Sequence, residues 1–333
     1  MTVSVKDVAA RAGVSVGTVS NVLNRPQHVS AATAERVRAA IDELGFVRND
    51  AARQLRAGRS SAVGLIVLDM TNPFFADLTR GAEDVAQAAE LAVIVGDGGE
   101  RPDRERAYLD LFEQQRLRGV LLTPFGDVDE RLRALRRRGI PTVLVDRASS
   151  DHSFSSVSVD DRLGGALAVG HLLNRGHRHI AYVAGPRGIA QVEDRLLGAR
   201  DAAAEHPDAR LEVVELTALS IAEGQRASAV LAAGGVDGRP DAVFAANDLI
   251  AIGLLGGLTA AGIRVPEDVA LIGYDDIAFA AAATVPLSSI RQPAAQIGAT
   301  GMRILLDESV DHTLPPRHVT FRPELVVRRS TEG

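Results

Sequence analysis

Cysteine and tryptophan are absent from the 333 residues, and lysine occurs once, as Lys6, against 36 arginines. Without cysteine there is neither a disulfide framework nor a thiolate-ligated metal site. With no lysine beyond residue 6, a Gly-Lys-Ser/Thr phosphate loop cannot be formed, and no buried lysine is left for Schiff-base chemistry. The arginine excess follows codon composition, so no arginine gains a role merely from it. Long apolar runs are missing as well. Nowhere do about 18 uncharged apolar residues follow one another, so no membrane-spanning helix is expected. The N-terminus, MTVSVKDVAARAG, carries Lys6, Asp7 and Arg11 and has no apolar h-region. It is not a secretory signal, and the cytoplasm is the expected location. No cofactor is expected.

What is present suits a soluble protein of two or three domains, with 46% hydrophobic and 24% charged residues. The net charge of −6 is unevenly spread. Residues 1–60 hold nine basic and five acidic side chains, a balance of +4, and the remaining 273 carry −10. A small basic head on a large acidic body suggests a nucleic-acid-binding module joined to something else.

The head predicts three short helices. Ser4 and Asp7 form a capping pair before Val5, Val8, Ala9 and Ala12, which share one helical face, and Gly13 ends that helix. Ser15 caps a second helix, Val16 to Leu23, with Val19, Val22 and Leu23 inward. A third begins at Ser30, with Val37, Ile41 and Leu44 inward, and stops at Gly45. Two helices joined by about three residues that include glycine form either a helix-turn-helix or a plain αα corner. In a helix-turn-helix the outward face of the second helix, carrying Val16, Gly17, Thr18 and Asn21, enters the major groove. There Asn21 reaches an adenine edge and Val16 a thymine methyl. Gly17 offers no side chain for readout but permits close approach to the bases. Lys6, in the first helix, is in reach of a phosphate.

Residues 49–58, NDAARQLRAG, form a short capped helix that is unstable alone and orders only against a partner. Leu55 is its one large apolar side chain and lies between Arg53 and Arg56. That pattern fits a minor-groove wedge; it fits equally a linker whose Leu55 packs on the body.

Beyond residue 60 strand-like runs alternate with helices. Strands are expected at Val63–Leu68, Leu91–Val95, Val120–Leu122, Thr142–Val145, Ile180–Ala184, Val243–Ala245 and Val269–Ile272. Helices of the kind Phe74–Ala89, Arg162–Asn174 and Leu249–Ala261 fall between them. This is an α/β pattern with parallel sheets covered on both faces. Polar residues recur where strands end: Asp69, Asp97, Thr123, Asp146 with Arg147, Asn247 with Asp248, and Tyr274 with Asp275 and Asp276. Open α/β sheets bind ligands at the carboxyl ends of their strands, and carboxylates and amides with a few aromatics suit a polyhydroxylated ligand. Phe74, Phe75 and Phe125 are candidates to cover an apolar sugar face. Taken one at a time, each such Asp or Asn is equally a helix N-cap. His171, His177 and His179 admit a metal reading, but His177 and His179 fall at a helix-to-strand turn and no metal is expected. No Gly-x-Ser-x-Gly elbow or Gly-x-Gly-x-x-Gly turn follows a strand, which argues against an enzyme. A free solute-binding protein would lack the basic helical head.

Nearly the whole chain resembles the lactose-repressor (LacI/GalR) family of bacterial transcription regulators. In the head, VKDVAARAGVSVGTVSNVLN, VSAATAERVRAAIDELGF and NDAARQLRAG are similar to the family's helix-turn-helix, third helix and hinge helix, in that order. In the body, NPFFADL (72–78), RGHRHIAYVAGP (175–186), DRLLGAR (194–200), FAANDLIAIGLL (244–255), VPEDVALIGYDD (265–276) and IRQP (290–293) resemble its signature stretches. The resemblance implies a helix-turn-helix head over 1–47 and a hinge over 48–60. The body, 61–333, would be like a type I periplasmic binding protein, with two doubly wound α/β subdomains and chain crossings near 157–160, 288–292 and 319–323. It implies DNA contacts from Val16, Gly17, Thr18 and Asn21, with Leu55 as the wedge. It implies effector contacts from Arg195, Asn247 and Asp275, surrounded by Asp69, Phe74, Asp146 and Gln292. The function implied is repression at a pseudo-palindromic operator by a homodimer, under control of a small effector. That effector is read here as a sugar, with a nucleoside or purine as the alternative. No heptad helix stands at the end of the sequence, so a dimer is expected rather than a tetramer.

Overall fold

A computed structural model describes residues 3–46, 60–150 and 152–332. Leu55 and nearly all of the expected hinge segment lie outside the described residues. The chain divides into two units, 1–59 and 60–333.

In the first unit, helix α1 (Val5–Ala12) starts where the Ser4 N–H and Oγ both donate to the Asp7 carboxylate, at 2.8 and 2.7 Å. The Ser4 backbone N–H is the larger cause that holds Asp7 below the usual carboxylate range. Gly13 ends α1 in the left-handed region, at φ +63°, and Val14 N–H closes the turn onto Ala9 O at 3.0 Å. Ser15 then caps α2 (Val16–Asn24) by accepting the Thr18 N–H at 3.0 Å. A third helix, α3 (Ala31–Leu44), is capped by Ser30 and ended by Gly45 at φ +59°. Val8, Val19, Val22, Val37 and Phe46 form the buried centre. Leu23, Ile41 and Leu44 pack at its edge.

The second unit holds two six-stranded sheets of matching order. The first sheet runs β2 (Ala92–Asp97), β1 (Ala62–Val67), β3 (Val120–Leu122), β4 (Thr142–Val145), β5 (Ser156–Val159) and β11 (His318–Phe321), all parallel. The second runs β7 (Arg210–Glu215), β6 (His179–Ala184), β8 (Ala242–Ala245), β9 (Ala270–Asp275), β10 (Ser288–Arg291) and β12 (Glu324–Val326), with only the β10–β12 pair antiparallel. The five strands beyond the seven expected lie at sheet edges or where the chain changes sheet. Being four residues or fewer, or only half-buried, they leave no clear apolar run.

The chain passes from one sheet to the other three times: after β5 at Asp160, after β10 at Gln292–Pro293, and between β11 and β12 at Arg322–Pro323. Helices α4 (Pro73–Ala88), α5 (Pro102–Gln114) and α6 (Asp129–Arg137) belong to the first subdomain. Helices α7 (Asp161–Asn174), α8 (Ala190–Ala204), α9 (Ile221–Ala233) and α10 (Asp248–Ala260) belong to the second, and α11 (Ala294–Val310) returns to pack on α4. The pairing of α7 with α8 bears on the site. A Cβ at Gly165 would overlap the Arg195 carbonyl, and one at Gly198 the Arg162 carbonyl, so two glycines let these backbones touch. No helix among the described residues is long and apolar enough to cross a membrane.

Candidate functional site

The strand order of each sheet dictates where a site can form. Parallel strands direct their carboxyl ends to one edge, and the loops there face each other across the gap between the subdomains. Asn72 leaves the loop after β1 as the N-cap of α4, its Oδ1 accepting the Phe74 N–H at 3.0 Å. Its Nδ2 reaches across the gap to Asp275 Oδ2 at 2.8 Å. Asp275 is the last residue of β9 and sits at φ +101°, and its other oxygen accepts Gln292 Nε2 at 2.8 Å. From the opposite side Gln191, in the first turn of α8, donates Nε2 to Asp146 O at 2.5 Å and to Asp146 Oδ2 at 3.0 Å. Asp146 follows β4 and also has positive φ, at +58°.

Arg195 lies one turn further along α8. Its Nε donates to Asp161 Oδ1 at 2.7 Å, and its Nη1 to Ala246 O at 2.7 Å. The guanidinium carbon stands 3.6 Å from the centre of the Tyr274 ring. All of these groups are almost completely buried. Asn247 caps α10 by accepting Ile250 N–H at 2.9 Å and donates Nδ2 to Leu219 O at 3.3 Å.

Phe74, Asp146, Arg195, Asn247, Asp275 and Gln292 thus meet on one cavity of about 330 Å³ of atom-free space. That is the small end of the range for ligand pockets. Asn72, Phe75, Gln191 and Leu219 line it too. Of the seven expected effector residues, Asp69 stands apart. It is not among the lining residues, and its carboxylate is turned to Thr71, accepting the backbone N–H and Oγ1 at 2.8 Å each. Phe125 is also off the cavity; its ring lies against Gly188 of the other subdomain.

Burial governs the charges here. It pushes the Asp146 carboxyl well above the usual carboxylate range; Asp161 adds to the rise and Arg195 opposes it. Asp161 and Asp275 are raised by burial as well, against the pull of Arg195. For Arg195 burial works against the charge, but Asp161, Tyr274 and Asp275 outweigh it, and the guanidinium stays protonated.

Some strand-end carboxylates proved structural. Asp248 Oδ1 and Oδ2 accept Ser289 Oγ and Ile277 N–H, at 2.8 and 2.9 Å. Asp276 holds Arg291 and Arg328. The three histidines scatter, His171 to Thr331, His177 to Asp241 and His179 to Glu212. Sequence reasoning missed Asn72, Gln191 and Leu219. Asn72 carried one usable signal, an Asn before Pro at a helix start.

In the head, Lys6, Val16, Gly17 and Asn21 are exposed and Thr18 is half-buried. Val16, at 44% exposure, is a large apolar side chain left in solvent at the start of α2. The first turn of that helix therefore presents a mixed apolar and polar surface, as groove readout requires.

A helix-turn-helix unit followed by a two-subdomain cleft protein is the architecture of an allosteric transcription regulator. Residues 4–49 match the family described as bacterial regulatory proteins, lacI family, and residues 169–331 match a periplasmic binding protein-like domain. The HTH-type transcriptional repressor PurR of Vibrio campbellii is 33% identical, over 99% of this chain and 98% of its own. The ribose operon repressor of Halalkalibacterium halodurans is 32% identical, over 99% and 97%. The crystal structure of the lac repressor dimer bound to operator and the anti-inducer ONPF superposes with a TM-score of 0.83 at 28% identity, covering 99% of both chains. The chain belongs to the lacI family of bacterial regulatory proteins and is a DNA-binding transcriptional regulator.

Proposed function

We propose that this chain is a repressor that binds a pseudo-palindromic operator as a homodimer and changes its grip when a sugar occupies the cleft between its subdomains. The observation that carries the reading is the meeting of six expected residues, from separate loops and helices, on one small cavity. Hydroxyl groups suit a wall of carboxylates and amides, and Phe74 offers an apolar face. A purine or nucleoside finds aromatic surface on one wall only. Phe74 and Phe75 meet edge to face at 5.0 Å, and the opposite wall presents Ile189, Val192 and Leu219. Support for the dimer comes from the lac repressor structure, whose printed description is of a dimer on operator.

The mechanism follows from two-state coupling. Val16, Gly17, Thr18 and Asn21 of each head face one half-site, and Lys6 adds a phosphate contact. Leu55 of each hinge enters the minor groove between the half-sites. A ligand that bonds both subdomains favours the closed cleft, and closure alters the spacing from which the two hinges leave the bodies. Selection of DNA from a random pool with the full-length protein, followed by gel retardation with and without D-ribose or D-glucose, tests this. A palindromic consensus whose retardation one sugar alters is expected. A pool that yields no consensus would overturn the reading.

A further inference from the structure

Three hydrogen-bond acceptors of the cavity-lining residues are buried without a donor: Asp146 Oδ1, Gln191 Oε1 and Gln292 Oε1. The donors beside them are already engaged. Gln191 Nε2 is held by Asp146, and both Gln292 Nε2 and Asn72 Nδ2 by Asp275. Asn247 Nδ2 bonds Leu219 O, and Arg195 is committed to Asp161 and Ala246 O. The amide orientations are forced. Gln191 faces two oxygens of Asp146 and Gln292 faces a carboxylate oxygen, so in each case the nitrogen is the bonded end and the carbonyl oxygen is left over. The wall is therefore short of donors. An unmatched buried acceptor costs about ten- to a hundredfold in an equilibrium, which is what a ligand recovers by supplying the hydrogen.

Two of these acceptors straddle the gap. Asp146 follows β4 of the first sheet, and Gln191 belongs to α8 on the second. The two residues are bonded to each other, so their free oxygens lie side by side on opposite subdomains.

We propose that the effector is an uncharged polyol of monosaccharide size, and that Gln191 is its specificity-determining residue, reading one hydroxyl while Asp146 reads another across the cleft. This rests on the cleft being the effector site. A polyol donates from every hydroxyl. An anion such as a sugar phosphate would meet acceptors in place of donors, because the one guanidinium on the wall is spent on Asp161. A ligand that donates to both residues ties the subdomains together, so recognition and closure become one event.

Calorimetric titration of the full-length protein tests this. D-ribose, D-glucose, ribose 5-phosphate and guanine are the probes, followed by the monodeoxy analogues of whichever sugar binds. Expected is binding of a parent sugar with at least a tenfold loss for two of its monodeoxy analogues. Gln191→Leu, with its fold checked by circular dichroism, should weaken the parent sugar tenfold or more. It should also erase the discrimination against one of the two analogues, because the variant and that analogue remove the same bond. If a sugar binds but every monodeoxy analogue binds within about twofold, or Gln191→Leu discriminates as the wild type does, this inference falls and the sugar reading of the cleft stands. Binding of guanine or ribose 5-phosphate with none from the sugars, or no binding by any probe, overturns both.

Discussion

Asn72 and Asp275 are 203 residues apart in sequence and 2.8 Å apart in space, the amide of one subdomain donating to the carboxylate of the other. Gln191 and Asp146 repeat the arrangement in the reverse sense. Each carboxylate follows a strand of its own sheet, each amide sits at the start of a helix, and the bonds cross the cleft in opposite directions. Closure thus depends on two donors facing two acceptors. Asn72→Asp separates this role from helix capping, because aspartate caps as well as asparagine but cannot donate to Asp275. The variant should keep its melting temperature within a few degrees and bind the effector at least tenfold more weakly. Calorimetric melts and titrations check both, and unchanged affinity would refute the latch.

Arg195 was expected to be an effector contact, and its bonds give it a structural duty too. It neutralises Asp161 in a region closed to water, and both side chains are about 5% exposed. Removing one member of such a pair leaves the other charge stranded, at about 3–5 kcal/mol. Arg195→Ala should therefore destabilise the body by an amount of that order, and Arg195→Leu combined with Asp161→Leu should recover much of it. Urea denaturation of the two variants decides the point. Similar losses in the single and double variants would mean that the pair contributes little. Loss of effector response in Arg195→Ala is interpretable only beside this measurement.

The alternation of apolar runs made the α/β class and the head's three helices legible, because burial on a sheet or a helix face leaves a periodic trace. Capping did the same for Ser4, Ser15, Ser30 and the glycines after α1 and α3. The cleft was legible only as a set of strand ends. Asp69 and Asn72 lie three residues apart in one loop, and nothing in composition says which one faces the other subdomain. The turn decides it, by spending Asp69 on Thr71. Gln191 was invisible for a different reason. It stands inside a helix start with no side-chain cap, where a glutamine carries no positional signal. The dual reading of Asn247, cap or ligand contact, dissolved, since it caps α10 and lines the cavity at once.

Buried and exposed carboxylates set opposite slopes of stability against pH. Burial raises Asp146, Asp248 and Asp275, and it lifts Glu100 from 4.5 to about 7 against the Leu219 N–H and with the help of Asp69. A folded-state value above the unfolded one means that the folded protein holds protons the unfolded chain has released. Stability then falls as pH rises from the unfolded value through the folded one. Exposed Asp7, Asp103 and Asp201 are lowered by hydrogen bonds, so their contribution is lost only as pH falls below 3.8. The melting temperature should peak in the mildly acidic range and decline between about pH 5 and about pH 8. Glu100→Gln should flatten the part of that decline below about pH 7. Melts at constant ionic strength that rise toward pH 8 would contradict the assignment.

Gly17 sets stability against recognition in the head. It occupies the first turn of α2, and a Cβ there would meet only Ser15 Oγ, at 3.6 Å, an ordinary contact. Its backbone needs no glycine, so alanine should be accepted and should strengthen the helix by up to about 1 kcal/mol. If Gly17 is there for another reason, close approach to the bases is the remaining one, since the position is exposed beside Val16 and Asn21. Gly17→Ala should raise the melting temperature of the head and lower specific operator affinity, while non-specific binding and its salt dependence, set by phosphate contacts such as Lys6, stay as they were. Titration of operator and random DNA at two salt concentrations separates these terms. Equal or tighter operator binding by the alanine variant would show that the face of α2 meets the groove elsewhere.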